Sequence, residues 1–300
     1  MKSIVTFGLF AIVSVGCAES ITEPPGDVDE TRDYQPVATS ETFTFAGLAD
    51  WDHDGSQDII VRENATGLLW LYPGESVRSY SGQPRVQIGN GWNGYTFAGL
   101  ADWDGDGNQD IVVRENATGL LWLYPGESVR GYSNQDRVQI GNGWNGYTFA
   151  GLADWDRDGN QDIIVRENAT GLLWLYPGQG VRDYSNQPRV QIGNGWNGYT
   201  FAGLADWDRD GNQDIVVRQD ATGLLWLYPG QSVRYYSSET PVQIGNGWTG
   251  YTFAGLADWD RDGNQDIVVR ADATRLLWLY PGQSVRGYSN QARAQIGNGW

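Results

Sequence analysis

Asp102-Trp-Asp-Gly-Asp-Gly-Asn-Gln-Asp110 places four carboxylates within nine residues. Like charges at that spacing repel, so the stretch needs a physical reason. The reason must be general, because the pattern D-x-D-x-D-G-x-x-D occurs five times. Its acids are Asp50, Asp52, Asp54 and Asp58; Asp102, Asp104, Asp106 and Asp110; Asp154, Asp156, Asp158 and Asp162; Asp206, Asp208, Asp210 and Asp214; and Asp258, Asp260, Asp262 and Asp266. The tryptophans inside these loops, Trp51, Trp103, Trp155, Trp207 and Trp259, stand 52 residues apart. Residues 41–300 therefore divide into five units, 41–92, 93–144, 145–196, 197–248 and 249–300. A period of this length is the mark of a repeat architecture.

The second unit shows what each repeat builds. Short apolar runs at 95–102, 110–117, 120–126 and 137–144 read as strands, separated by the acidic loop, a Thr-Gly turn and a polar stretch. Asn145-Gly146 then turns into the next unit. No segment carries a helical period. Four short antiparallel strands repeated radially predict an all-β fold, a five-bladed β-propeller. An open solenoid is the alternative, but it would need polar caps, and unit five departs from its neighbours chiefly at Thr274-Arg275 and Ala294. The apolar run Leu-Leu-Trp-Leu-Tyr at 120–124 predicts a third strand buried on both faces, with Trp122 in the blade core. For Trp103 and Trp144, packing against a neighbouring blade and an exposed platform are both open. Contiguous units need no shared blade for closure. Gln35-Pro-Val37 nevertheless echoes Gln187-Pro-Arg-Val190, which leaves room for an N-terminal strand clasping the ring.

Alternating carboxylates in a tight loop can converge on one point. Gly107, sixth in its loop, permits the sharp turn. The last Asp, at the start of the second strand, would close the cage. Hard oxygen donors in a flexible loop suit Ca²⁺, whereas Mg²⁺ demands tighter octahedral geometry. Strands rather than helices flank the loops, and the closing acid is not the Glu at position twelve of an EF-hand. About five structural Ca²⁺ ions are thus expected, one per loop, tying the first two strands of each blade. The charge balance agrees. The chain is −17 overall, and the loops hold 20 of its 37 acids, leaving 17 against 20 Lys and Arg. Acidity is therefore localised in the loops. The competing reading is a set of solvated acidic turns.

The stretch TFAGLADWDGDGNQDIVVRENATGLLWLYPG (96–126) resembles the FG-GAP/VCBS repeat family in its small-residue first strand, its acidic loop and the apolar strand that follows. The resemblance covers 41–300. It implies calcium-binding propeller blades, as in integrin α-subunits and certain fungal lectins, with the twenty Asp above as ligands. It implies nothing about what the propeller binds. The LWLYPG and GNGW variants are similar to bacterial secreted repeats.

Composition narrows the function. An acidic chain with one Lys does not suit nucleic acid or an anionic membrane surface. One Cys and one His support neither a disulfide framework nor a histidine metal site. His53 occurs in one loop only, the paired carboxylates belong to the loops, and no nucleophile–base set repeats, so an enzyme is not expected. Lys2, the apolar run 4–15 and Gly16-Cys17 read as an export signal (1–17) with a lipobox, Cys17 being lipidated, although Ser14 departs from the pattern. Cleavage after Ala18 without a lipid is the alternative. Residues 18–40 are acidic and Pro-containing and read as a flexible tether reaching roughly 25 Å. The expected location is outer-surface or periplasmic lipoprotein, otherwise secreted, with membrane contact only through the anchor. Sugars are bound by an aromatic face with Asn and Arg donors nearby. Asn142, Trp144, Asn145 and Tyr147, with Asn90, Asn194, Asn246, Trp92, Trp196 and Trp248, are the candidate group. The bland reading is that they only build the turn between units. The expected function is a carbohydrate-binding or adhesive module acting on glycans or cell-surface proteins as a monomeric ring. A protein-interaction or structural scaffold is the alternative.

Overall fold

Each 52-residue unit forms one four-stranded antiparallel sheet, with its strands paired in chain order. The computed structural model describes residues 43–300 apart from Tyr184, Tyr236 and Tyr288. The expected signal, Cys17, the tether and the Gln35–Val37 echo lie outside the described residues. Blade one consists of β1 (Phe43–Ala49), β2 (Asp58–Glu63), β3 (Leu69–Tyr72) and β4 (Val86–Gly89). Blade two repeats it as β5 (Tyr95–Ala101), β6 (Asp110–Glu115), β7 (Leu121–Tyr124) and β8 (Val138–Gly141). Every regular element among the described residues is a strand, and the architecture is a five-bladed β-propeller of 52-residue repeats. Each blade is one contiguous unit, so closure uses no shared blade.

The first strands line the centre and touch in a ring: β1 contacts β5 on one side and the first strand of blade five on the other. Their close approach depends on one glycine per blade. Each sits at a bulge in the pairing of the first two strands, with φ near +150°: Gly47, Gly99, Gly151, Gly203 and Gly255. A Cβ on Gly47 would meet Leu100 of blade two at 3.2 Å, and one on Gly255 would meet Leu48 of blade one at 3.2 Å. The contact runs around the whole ring and closes it.

The hydrophobic core is split into five clusters, each shared by two adjacent blades. Between blades one and two, Ile60, Leu69, Leu71 and Trp92 pack with Ile111 and Val113. Between blades five and one, Val268, Leu277, Leu279 and Trp300 pack with Phe43, Ile59 and Val61. The Trp ending each unit is the knob that locks into the next blade. Trp144 is 7% exposed, stacked on Phe149 at 5.9 Å and against Tyr176 at 4.5 Å. Trp300 repeats this with Phe45 and Tyr72 across the closing interface. Trp144 and its equivalents are therefore core residues.

The doubly buried strand is the second, not the third as the apolar run suggested. Asp110 to Val113 are all buried in β6, whereas β7 alternates: Leu121 and Leu123 are fully buried while Trp122 and Tyr124 are half-exposed. Trp122 is half-buried and packs against the cluster between blades one and two, and Arg137 covers its face, with the guanidinium 3.9 Å from the ring centroid. Cation–π stacking lets an aromatic ring lie at a surface without being wetted on both sides.

Gly151→Ala should destabilise the ring by roughly 1–3 kcal/mol, since Ala is strained at that φ and its Cβ crowds Leu204. Gly131→Ala, where a Cβ meets no atom within 4 Å and φ is ordinary, should change stability by less than about 0.5 kcal/mol. Urea unfolding of both variants checks the contrast.

Candidate metal-binding loops and inter-blade cavities

Each acidic loop joins the inner strand of a blade to its doubly buried second strand. In blade two, the Asp104 and Asp106 carboxylates fold the loop on itself, taking the amides of Asp106 at 3.1 Å and Asn108 at 2.8 Å. The amide of Gly107 donates to Asp102 Oδ2 at 3.0 Å. Asp110 is fully buried, and both its oxygens are engaged: Oδ2 accepts the Trp103 amide at 2.9 Å and Oδ1 the Gly126 amide at 2.8 Å. This carboxylate therefore ties the loop to the end of β7. Burial pushes its pKa up to about 7, with the charges of Asp104 and Asp106 adding to the rise and the two amides opposing it. Asp58, Asp162, Asp214 and Asp266 repeat the arrangement and the rise to about 7.

The loops fit a divalent cation on two observations. First, Oδ1 of the first Asp in each loop (Asp50, Asp102, Asp154, Asp206 and Asp258) is buried and accepts no hydrogen bond. A buried carboxylate oxygen without a donor is costly, and a metal ion would satisfy it. Second, carboxylate oxygens converge. One oxygen from each of Asp102, Asp104 and Asp110 lies within 4.8 Å of the others, as do those of Asp50, Asp52 and Asp58 and of Asp154, Asp156 and Asp162. In blades four and five the convergent sets are Asp206, Asp208, Asp210 and Asp258, Asp260, Asp262. Oxygens at these separations can share one Ca²⁺ at its usual 2.3–2.6 Å bond length. The remaining loop acids, Asp54, Asp106, Asp158, Asp214 and Asp266, lie in the same loops beside those sets.

The loop tryptophans pack on the neighbouring blade. Trp103 is buried and donates its indole N–H to the Val181 carbonyl of blade three at 3.2 Å. Trp51, Trp155 and Trp207 do the same one blade on, and Trp259 reaches Val77 of blade one. A residue that the sequence reading missed enters beside them. Arg182, from the long segment after the third strand of blade three, engages Asp104 Oδ2 and, at 3.0 Å, Asp106 Oδ2 of blade two. Arg130, Arg234, Arg286 and Arg78 make the same pair of contacts to the preceding blade, Arg78 across the closing interface. The signal was present: every unit keeps Val-Arg at this point while the residues around it vary.

The same long segments wall a second set of features. A cavity of about 270 Å³ lies between blades one and two. Its blade-one wall is Trp51, Ile88, Asn90 and Trp92; its blade-two wall includes Tyr124, Tyr132, Gln135 and Arg137. Equivalent cavities of about 200 and 260 Å³ follow between blades two and three and between blades three and four. The structure thus brings Asn90 and Trp92, Asn142 and Trp144, and Asn194 and Trp196 to cavity walls, with the asparagines exposed. Asn246 is also exposed and Trp248 buried. Asn145 and Tyr147 sit elsewhere. The Asn145 side chain lies over Gly119 in the turn of the preceding blade, and the Tyr147 hydroxyl accepts from Arg189 at 2.5 Å. The cavities differ in charge: Asp136 and Arg137 line the first, Arg189 the second, and Glu239 with Pro241 the third.

A model of the FG-GAP-like repeat matches residues 50–113, 102–165, 154–217 and 206–269. Integrin alpha-V of Gallus gallus is 25% identical over 222 residues, covering 64% of this chain and 21% of that protein. Integrin alpha-3 of Cricetulus griseus is 26% identical over 148 residues, covering 43% of this chain and 14% of its own length. The chain thus spans between 14% and 21% of the length of these relatives. Among solved structures, the Photorhabdus luminescens Tc holotoxin pore matches with TM-score 0.49 and 14% identity, over 85% of this chain and 12% of that one. An Agrocybe aegerita lectin recognising non-reducing terminal N-acetylglucosamine matches with TM-score 0.44 and 14% identity, over 87% of this chain and 67% of the lectin.

Replacing Asp110 by Ala strands the buried amides of Trp103 and Gly126, and should cost roughly 2–5 kcal/mol. Asp110→Asn keeps one acceptor and should cost less. Chemical denaturation of the two variants under chelating conditions tests this ranking.

Proposed function

Because the chain belongs to the FG-GAP-like repeat family, we propose that it is an exported, non-enzymatic binding module whose acidic loops hold Ca²⁺ and whose inter-blade cavities take glycans. The observation that carries the glycan reading is the repeated cavity wall. In each of the three cavities, an exposed Asn stands beside a buried Trp edge and a Tyr ring. A sugar needs this mixture: apolar surface for its C–H faces, and a few fixed donors and acceptors for its hydroxyls. The tyrosine stays a neutral hydroxyl, since burial and the neighbouring Tyr95 hydroxyl push the Tyr124 pKa up to about 12. Tyr124 and Tyr95 both accept from Arg137, at 3.1 and 2.6 Å, which fixes that guanidinium at the rim. Repetition around the ring supplies multivalency, which raises apparent affinity by about 10²–10⁴ without any new contact. The calcium has a structural role on this reading. Its loops supply Trp51, Trp103 and Trp155 to the cavity walls, so the ion shapes the cavities through those tryptophans.

The charge difference among cavities sharpens the proposal. Arg189, with no acid beside it in the second cavity, favours a sugar bearing a carboxylate or sulfate there, while Asp136 accompanies Arg137 in the first cavity and Glu239, paired with Arg286 at 2.9 Å, lines the third. A glycan array probed with the Ca²⁺-loaded chain should give binding that depends on Asn90, Asn142 and Asn194, with their combined replacement by Ala lowering apparent affinity at least about tenfold. Array binding unchanged in that variant would refute these cavities as the site. An array with no bound glycan at all, alongside capture of a cell-surface protein by the same preparation, would favour the protein-interaction reading.

A further inference from the structure

The carboxylates that would hold the metal are already answering a second cation. In blade two, Asp104 Oδ1 accepts the Asp106 amide and Oδ2 the Arg182 Nε. Asp106 Oδ1 accepts the Asn108 amide and its side-chain N–H₂, and Oδ2 accepts Arg182 Nη2 at 3.0 Å. Arg182 Nη1 is held by Gln135 Oε1 of blade two. The guanidinium is thus gripped by three residues of blade two while its own backbone belongs to blade three. The same fork recurs around the ring: Arg130 on Asp52, Asp54 and Gln83; Arg234 on Asp156, Asp158 and Gln187; Arg286 on Asp208, Asp210 and Glu239; Arg78 on Asp260, Asp262 and Gln291.

We propose that Arg78, Arg130, Arg182, Arg234 and Arg286 are built-in counter-ions that compete with the divalent cation for the second and third carboxylates of each loop, and that they hold adjacent blades together when the metal is absent. This rests on the reading of the loops as Ca²⁺ sites. Two arguments carry it. The first is geometric. Asp104 and Asp106 have their Oδ1 atoms committed to loop amides, so the Oδ2 atoms that the arginine grips are those left to turn toward a metal. The second is electrostatic. A guanidinium on the carboxylates that would hold a dication raises the energy of that dication by Coulomb repulsion, and the effect is least screened where the carboxylates are nearly buried. Asp104 has 5% of its side-chain surface exposed and Asp106 31%, so the contact to Asp104 lies in the less screened regime. The arginine is held by Gln135 as well as by the two loop carboxylates, and its backbone belongs to the next blade. It therefore links the charge state of one blade's loop to the long segment of the next blade.

The test is Ca²⁺ titration of the full-length chain by calorimetry, together with thermal melts in chelator and in millimolar Ca²⁺. Arg182→Gln removes one fork of five. It should leave one Ca²⁺ equivalent binding about tenfold tighter than the rest, and should lower the melting temperature in chelator, with the deficit shrinking once Ca²⁺ is added. Arg182→Lys keeps the charge and should hold Ca²⁺ affinity near that of the unaltered chain, which separates charge from packing. The fivefold Arg→Gln variant, folded in the presence of Ca²⁺, should tighten all sites; if it does not fold, the single variants still decide. An Arg182→Gln chain whose Ca²⁺ affinity is unchanged or weaker overturns the competition while leaving the loops as metal sites. An unaltered chain that binds no Ca²⁺ overturns both.

Discussion

The structure turns on a concentration of negative charge that no single blade can neutralise. Four carboxylates per loop stand at the junction of the inner and second strands, and the second strand is the most buried element of the blade. One of the four, Asp110 and its equivalents, is driven into the core because two backbone amides need an acceptor there. The second and third, Asp104 and Asp106 and their equivalents, are relieved from outside the blade by an arginine. An arginine and an indole N–H-bearing tryptophan cross between neighbours at this point, in opposite directions. Electrostatic relief consequently adds to the blade-to-blade adhesion that the shared hydrophobic clusters supply.

That coupling explains why the closing interface works without a shared blade. The four recurrent contacts between successive blades have counterparts between blade five and blade one: Gly255 against Leu48, Trp259 on Val77, Arg78 on Asp260 and Asp262, and Trp300 on Phe45. Arg270 donates to the Phe43 carbonyl at 3.1 Å, where Arg218 and its equivalents reach the corresponding carbonyl of the following unit. Repeats that are nearly identical can close a ring because the same core contacts recur at every interface. The segment bearing the bridging arginine also supplies Tyr132, Gln135 and Arg137 to a cavity wall, so loop and cavity share a structural part.

Much of this was legible in the sequence. The period of 52 fixes the blade count, strand positions follow from turn chemistry, and the acidic spacing marks the loops. What the sequence conceals is contact between units. Trp122 sits in an apolar run and reads as core; it packs at the edge of one core cluster, and Arg137, fifteen residues on and invisible to any local pattern, covers its other side. Trp144 sits among Gly and Asn, where packing and an exposed platform are both open from the sequence, and it is the knob of the next interface because Phe149 and Tyr176 offer it rings. The bridging arginines are separated from their carboxylate partners by 76–78 residues within the chain, and by more than 180 at the closure. Local patterns locate such residues only through their recurrence in every unit.

The central claim is that cations, not hydrogen bonds alone, resolve the charge of the five loops. Equilibrium dialysis of the full-length chain against radiolabelled Ca²⁺, with protein-bound ion counted per chain, tests it most directly. The account predicts saturation near five ions per chain, accompanied by a higher melting temperature than in chelator. Saturation at no bound ion, with melting unchanged by chelator, would contradict it.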